Sequence, residues 1–150
     1  MRPKSIIWFE RLYLGSWLLS LVALAVNWSA IRETMAENPA AGRLGVDTMM
    51  NIFVAFAGLS ALITMLLWYF TARQHSVVAK WFVVAFFVLG LLGVPGLIGP
   101  FTEGQWVKGI LQVLVFLLHA AAVAMLFRRD ARIWFGEIGD VPPAPPAPLV

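Results

Sequence analysis

The chain has 150 residues, of which 61% are hydrophobic and only 13% are charged, and its mean hydropathy is +0.83. A soluble domain of this size could not bury so much apolar surface, so the composition indicates an integral membrane protein. The basic isoelectric point of about 9.8 arises from charges scattered along the chain, which argues against nucleic-acid binding. The chain has no cysteine, which excludes disulfide, thiolate and cysteine-ligated metal chemistry.

Four long runs of the sequence contain no charged residue. An apolar helix needs about 20 residues to cross the hydrocarbon of a bilayer, and each run is long enough to form one. The alternation of polar and apolar residues that barrel strands require does not occur. We therefore predict an all-α integral membrane protein, a four-transmembrane-helix bundle of antiparallel up-down-up-down topology, within residues 1–138. The predicted spans are 6–31, 47–72, 77–99 and 103–128.

The first apolar run, from Leu12 to Ile31, also has the features of a cleavable signal peptide. A basic segment precedes it, and the small residues of Ala23–Ala25 resemble a cleavage site. The apolar stretch continues past that site, however, and Glu10 and Arg11 separate it from the basic start. We therefore favour a membrane span.

Small and polar residues recur at helical spacing in the first two predicted spans. Such stripes let neighbouring membrane helices approach closely. The hydroxyl groups could instead line a polar pathway, but we favour helix packing. The stripe of the first span comprises Ser16, Ser20, Ala23 and Asn27, and that of the second comprises Ala57, Ser60, Ala61 and Thr64.

The third predicted span ends in a segment rich in glycine and proline, from Gly90 to Pro100. A regular helix should kink at Gly93, Pro95 and Gly96, because proline removes a backbone donor and glycine weakens the helix. Broken helices can bind ions or substrates in transporters. The break lies close to the predicted outer interface, so we favour a simple kink.

The fourth predicted span carries the strongest candidate site. Lys108, Gln112 and His119 share one helical face with Gln105, which lies near its start. Polar groups in hydrocarbon are costly, so this face should point into the bundle or towards another subunit. His119 could relay a proton or bind a polar ligand. We favour a structural histidine that hydrogen-bonds to Ser16, Ser20 or Thr64.

Three local signals mark helix boundaries. Asp47 is a predicted N-cap of the second span, and Ser76 is a predicted N-cap of the third. The segment Thr102–Gln105 has the spacing of a capping box that would open the fourth span.

The C-terminal region divides into two parts. Residues 129–137 mix basic and large apolar side chains and predict a short amphipathic helix at the membrane interface. Residues 139–150 are rich in proline and predict a disordered tail. The tail has the spacing of a docking peptide, but we favour an unstructured end.

The distribution of basic residues predicts that both termini are cytoplasmic. Eight of the 11 lysine and arginine residues flank the predicted inner side, whereas Arg32, Arg43 and Lys108 flank the outer side. Tryptophan prefers the level of the lipid headgroups. Six of its seven positions agree with this orientation: Trp8, Trp68, Trp81 and Trp134 fall at the inner boundary, and Trp28 and Trp106 at the outer one, whereas Trp17 lies inside a span.

The segments Phe9–Tyr13 and Arg129–Phe135 resemble those of small bacterial inner-membrane proteins with four spans. The resemblance implies an inner-membrane location. It carries over no functional residue.

The sequence favours a non-enzymatic role. It shows no paired carboxylates within the spans, no metal-ligand cluster, no catalytic triad at one depth and no phosphate-binding loop. We expect no cofactor, and we expect as partners membrane lipids and either a larger membrane complex or further copies of the chain. An accessory or scaffold subunit is the preferred function. A homo-oligomeric transporter that uses the polar face of the fourth span is the alternative, and a lipid- or quinone-acting enzyme is the third.

Overall fold

A computed structural model describes residues 2–139, and all regular secondary structure in that range is helical. The predicted all-α class is therefore confirmed. Residues 140–150, which make up nearly all of the predicted tail, lie outside the described residues. The α-helices are α1 (Lys4–Val26), α2 (Trp28–Glu37), α3 (Ala41–Leu44), α4 (Val46–Arg73), α5 (Val77–Leu91), α6 (Gly99–Thr102), α7 (Trp106–Met125) and α8 (Arg129–Trp134), and a 3-10 turn (Val94–Leu97) joins α5 to α6.

Three of these helices, α1, α4 and α7, are long and apolar enough to cross a membrane. The third predicted span is not one straight helix, because the chain bends by 60° between α5 and the segment Val94–Thr102. The described chain thus contains three candidate spans, or four if α5 and the bent segment form one span together.

The bend follows from the local sequence. Pro95 lies in the 3-10 turn, and the backbone N–H of Gly93 donates to the carbonyl of Gly90 in a tight i to i−3 bond (3.0 Å). After the turn, α6 folds back onto α7, where the ring of Phe101 covers Gly109. A Cβ atom at Gly109 would lie 2.7 Å from that ring. Glycine is therefore required for this close contact.

The first predicted span is also interrupted. Between α1 and α2, Asn27 leaves the helical conformation and its side-chain amide donates to the carbonyl of Ala23 (2.7 Å). Asparagine competes with the helix for backbone hydrogen bonds, which explains why the interruption falls here. The helix resumes as α2 and ends at Glu37, before the Asn38–Pro39 pair.

Two of the three predicted helix caps differ in the structure. The N-cap of α4 is Gly45, at a φ of 79° that favours glycine, while Asp47 lies in the first turn and pairs with Arg32 (2.9 Å). The predicted capping box does not form. Thr102 ends α6, so its hydroxyl donates to the carbonyl of Gly99 (2.8 Å) within that helix. The third prediction is correct, since the Ser76 hydroxyl accepts from the N–H of Ala79 (3.2 Å).

The hydrophobic core lies at one end of the molecule, which we call the closed end. Here the start of α1, the end of α4, the start of α5 and α8 meet around the end of α7. Polar contacts reinforce it: Glu10 accepts from Arg73 (3.0 Å), and a carboxylate oxygen of Asp130 accepts from the N–H of Ser5 (3.0 Å). The core comprises Ile6, Phe9, Tyr13, Ala72, Val83, Ala122, Val123, Leu126, Ala131 and Phe135.

Away from the closed end the helices separate. The closest helix pair is α1 with α7, whereas α4 packs only sparsely on its neighbours. In the apolar 18-residue stretch of α4 only 6% is buried, compared with 17% in the corresponding stretches of α1 and α7. The separation opens clefts between the helices, and these clefts contain the candidate site.

Candidate functional site

Three adjoining clefts run along the contact between α1 and α7. The first, of about 470 Å³, lies between α1, α5, the 3-10 turn and α7. The second, of about 280 Å³, is bounded by α1, α4, α5 and α7. The third, of about 460 Å³, lies between α1, α2, α4 and α7. The first and third clefts have the size of small-molecule sites, and the second is slightly smaller.

The clefts share wall residues and therefore lie side by side. His119 and Phe86 line both the first and the second cleft. Ser20, Ala23 and Gln112 line both the first and the third cleft. Two residues of the predicted polar face therefore stand where clefts meet.

His119 is surrounded by aromatic rings. Its ring centroid lies 5.2 Å from that of Tyr13 in an edge-on arrangement and 5.7 Å from that of Phe87 in a stacked one. Phe116 continues the stack, 5.8 Å from Phe87. These distances are typical of favourable ring packing, so His119 acts here as part of an aromatic wall.

The predicted hydrogen bonds to His119 do not occur within residues 2–139. The hydroxyl groups of Ser16 and Ser20 instead donate to backbone carbonyls of their own helix, those of Tyr13 (2.8 Å) and Trp17 (2.6 Å). Serine within a helix commonly bonds back to the preceding turn. The proton of each hydroxyl is thus donated within α1 and not across to α7.

Gln112 carries an unpaired buried acceptor. Its Oε1 atom is buried and accepts no hydrogen bond from residues 2–139. A buried acceptor without a donor is costly, because the oxygen has lost its water and gained nothing in exchange. The position of Gln112 between two clefts makes it the strongest polar anchor in the system.

The other two residues of the predicted polar face separate from each other. Lys108 is half-buried and lines the third cleft one turn from Gln112. Gln105 is exposed at the start of α7, outside the three clefts, and its amide donates to Glu103 (3.0 Å). The structure therefore brings Lys108, Gln112 and His119 to the clefts and leaves Gln105 out.

The two small-residue stripes occupy different environments. On α1, Ser16 is buried, whereas the other three members line clefts. On α4, Ser60 and Thr64 line the second cleft, and the two alanines of the stripe are half-buried. Much of the surface that the stripes offer is thus cleft wall. The predicted kink residues also contribute, since Gly93 and Gly96 line the first cleft but Pro95 does not.

Comparison with known proteins gives no match: no family model, no curated protein and no solved structure. Within residues 2–139 there is also no group of three or more histidine, aspartate or glutamate side chains that could hold a metal ion.

Sequence reasoning missed a polar cluster at the closed end. The sequence marks Lys80 only as a basic flanking residue, yet its side chain is buried and its ammonium group pairs with Glu137. Glu10, which joins Arg2 and Arg73, was equally unexpected. Lys80 with Glu137 and Arg73 with Glu10 join residues 57 and 63 positions apart, and Arg2 precedes α1, so helical spacing gave no signal for these pairs.

Proposed function

We propose that the protein spans the inner membrane four times, with α5 and the bent segment as one span and with both termini in the cytoplasm. The excess of basic residues supports this orientation. So does the closed end, where the N-terminal segment, the turn between α4 and α5, and α8 are held together by Glu10 with Arg73 and by Ser5 with Asp130. In an antiparallel four-span topology these three segments belong to the same side.

We further propose that the chain is an accessory subunit that docks on a larger membrane complex through α4. The observation that carries this proposal is the exposure of α4. It is the longest helix, with 28 residues, yet only 6% of its apolar 18-residue stretch is buried. A helix that packs so little within its own chain is available for a partner.

The outward side of α4 is suited to helix packing. Asn51, Ala55 and Gly58 are exposed and follow one another at helical spacing. No atom lies within 4 Å of a Cβ position built on Gly58. Small residues allow close approach of a partner helix, and an amide such as Asn51 can hydrogen-bond across the contact. These residues lie outside the stripe predicted from the sequence, which the structure turns partly towards the second cleft.

The test is a pair of matched substitutions. Ala55→Leu adds bulk to the exposed side of α4, and Ala85→Leu adds the same bulk to an exposed position of α5. Each tagged variant is purified gently from its own membrane, and the co-purifying proteins are quantified. We expect Ala55→Leu to lose a discrete set of membrane proteins that wild type and Ala85→Leu retain.

A homo-oligomer without any other protein in all three samples would contradict docking on a larger complex. Equal loss with Ala55→Leu and Ala85→Leu would contradict the assignment to α4, because it would mean that any added bulk disturbs the assembly.

A further inference from the structure

The first and third clefts place a charge, a hydrogen-bond acceptor and an apolar wall in one order along α7. Lys108 lies nearest the start of the helix, Gln112 follows about 6 Å along the axis, and His119 lies about 10 Å further on, at 1.5 Å per residue. All three line these clefts. A ligand that lies along α7 in these clefts would contact the three groups in this order.

The acceptor end of this arrangement calls for a donor. The Oε1 atom of Gln112 is buried and unpaired within residues 2–139. The nearby hydroxyl of Ser20, which lines the same two clefts, already donates to the carbonyl of Trp17 (2.6 Å). Because this oxygen has no surface open to the empty clefts, the Gln112 side chain must turn towards them before an O–H or N–H group of a ligand can donate to it.

The charged end calls for an anion. Lys108 lines the third cleft, and no carboxylate of residues 2–139 forms an ion pair with it. An acidic headgroup in the cleft would gain a charge-assisted hydrogen bond from the ammonium group. An uncharged ligand such as a quinol would leave this cation unused.

The part of the first cleft beside His119 favours an apolar chain. Phe86, Phe87 and Phe116 line the first cleft beside His119, which stacks with Phe87. The first and third clefts have volumes of about 470 and 460 Å³ and share Gln112. An extended amphiphile that passes Gln112 from one cleft to the other would place its chain against the aromatic wall.

We infer that the first and third clefts bind a single-chain anionic lipid of the lysophospholipid type. Its phosphate lies at Lys108, the Gln112 side chain turns towards the cleft so that Oε1 accepts from the free glycerol hydroxyl, and the acyl chain follows the aromatic wall. The order of charge, donor and chain decides the class, because a diacyl phospholipid has an ester where the donor is needed. This site is separate from the docking side of α4 and does not depend on it.

The test measures binding of 1-acyl lysophosphatidic acid to the purified full chain in neutral detergent. Wild type should bind it more tightly than the diacyl phosphatidic acid. Gln112→Leu and Lys108→Gln should each weaken binding by about tenfold, which corresponds to one lost hydrogen bond or ion pair. The matched controls are Gln105→Leu and Lys4→Gln. Gln105 lies outside the two clefts, and Lys4 is exposed at the start of α1 and lines neither cleft. Both should bind as wild type does.

Ligand chemistry provides a second measurement that needs no variant. A 2-O-methyl analogue of the lysolipid lacks the donor but keeps its charge and chain, so wild type should bind it about tenfold more weakly. Equal affinity for the lysolipid, its methyl analogue and the diacyl lipid would overturn the inference. Tight binding of a quinol to wild type and Lys108→Gln alike, with no preference for the lysolipid, would overturn it as well.

Discussion

The ammonium group of Lys80 lies 2.7 Å from a carboxylate oxygen of Glu137, although the Lys80 side chain is only 1% exposed. The rings of Phe127 and Phe135 face the same ammonium, with centroids at 4.8 Å and 5.2 Å. Arg132 adds a second, longer contact to Glu137 (3.6 Å). The pair therefore ties the start of α5 to the segment after α8 and closes that end of the molecule.

Removal of Glu137 should destabilise the protein strongly. Glu137→Ala leaves the buried Lys80 ammonium without its counter-ion, and we expect the free energy of unfolding in detergent to fall by about 3 kcal/mol. The control is Asp47→Ala, which breaks the exposed pair with Arg32 (2.9 Å) and should cost less than about 1 kcal/mol.

A double substitution separates loss of the pair from loss of packing. Lys80→Met with Glu137→Leu removes both charges and keeps apolar bulk, so it should be more stable than Glu137→Ala alone. If Glu137→Ala were no worse than Asp47→Ala, the pair would contribute nothing to the closed end.

Acid should weaken the contact between α1 and α8. Burial raises the pKa of Asp130, but hydrogen bonds from the backbone N–H groups of Ser5, Asp130 and Ala131 together lower that pKa below its ordinary value of 3.8. A carboxyl group with a lowered pKa stabilises the folded state above its unfolded pKa, and this contribution is lost as the pH falls through the folded pKa.

The measurement is the free energy of unfolding from about pH 5 down to about pH 2. Wild type should lose more stability over this window than Asp130→Asn, whose amide does not titrate. Parallel pH profiles for the two proteins would mean that the carboxylate of Asp130 is not held preferentially in the folded state.

The contact between α6 and α7 depends on Gly109. Gly109→Ala places a methyl group against the ring of Phe101 and should destabilise the protein by about 1 to 3 kcal/mol. Gly15→Ala is the matched control, since no atom lies within 4 Å of a Cβ there and alanine is the better helix former. In a Phe101→Leu background the cost of Gly109→Ala should shrink. Equal costs in both backgrounds would contradict the contact.

Hydropathy was sufficient to predict the helical class, because each apolar run is long enough to span a bilayer as a helix. The sequence also identified the glycine and proline segment at which α5 ends. Hydropathy did not show that Asn27 interrupts the first predicted span, since one asparagine hardly changes the mean hydropathy of an apolar run. Nor did the sequence predict the hydrogen-bond partner of the Thr102 hydroxyl, because that partner depends on where α6 lies after the bend.

The candidate site was predicted only in part. Helical periodicity placed Lys108, Gln112 and His119 on one face, and all three line clefts. The partners of His119 were wrong, because periodicity along one helix carries no information about which ring on another helix faces it. Tyr13 and Phe87 are two of many aromatic residues within the apolar runs, so nothing in the sequence singled them out. The unpaired oxygen of Gln112 likewise depends on which neighbours other helices supply.

The proposed orientation can be tested by cysteine labelling, because the chain has no cysteine of its own. Gly42→Cys and Gln74→Cys introduce exposed thiols before α4 and after it. A membrane-impermeant maleimide should label Gly42→Cys in spheroplasts and Gln74→Cys only after lysis. Labelling of both without lysis, or the opposite pattern, would contradict cytoplasmic termini.

Native mass spectrometry of the wild-type protein, extracted from its own membrane with lipids retained, tests the accessory role most directly. We predict a discrete assembly that contains this chain and other membrane proteins in fixed ratio. A chain that appears only alone, or only with copies of itself, would contradict an accessory role.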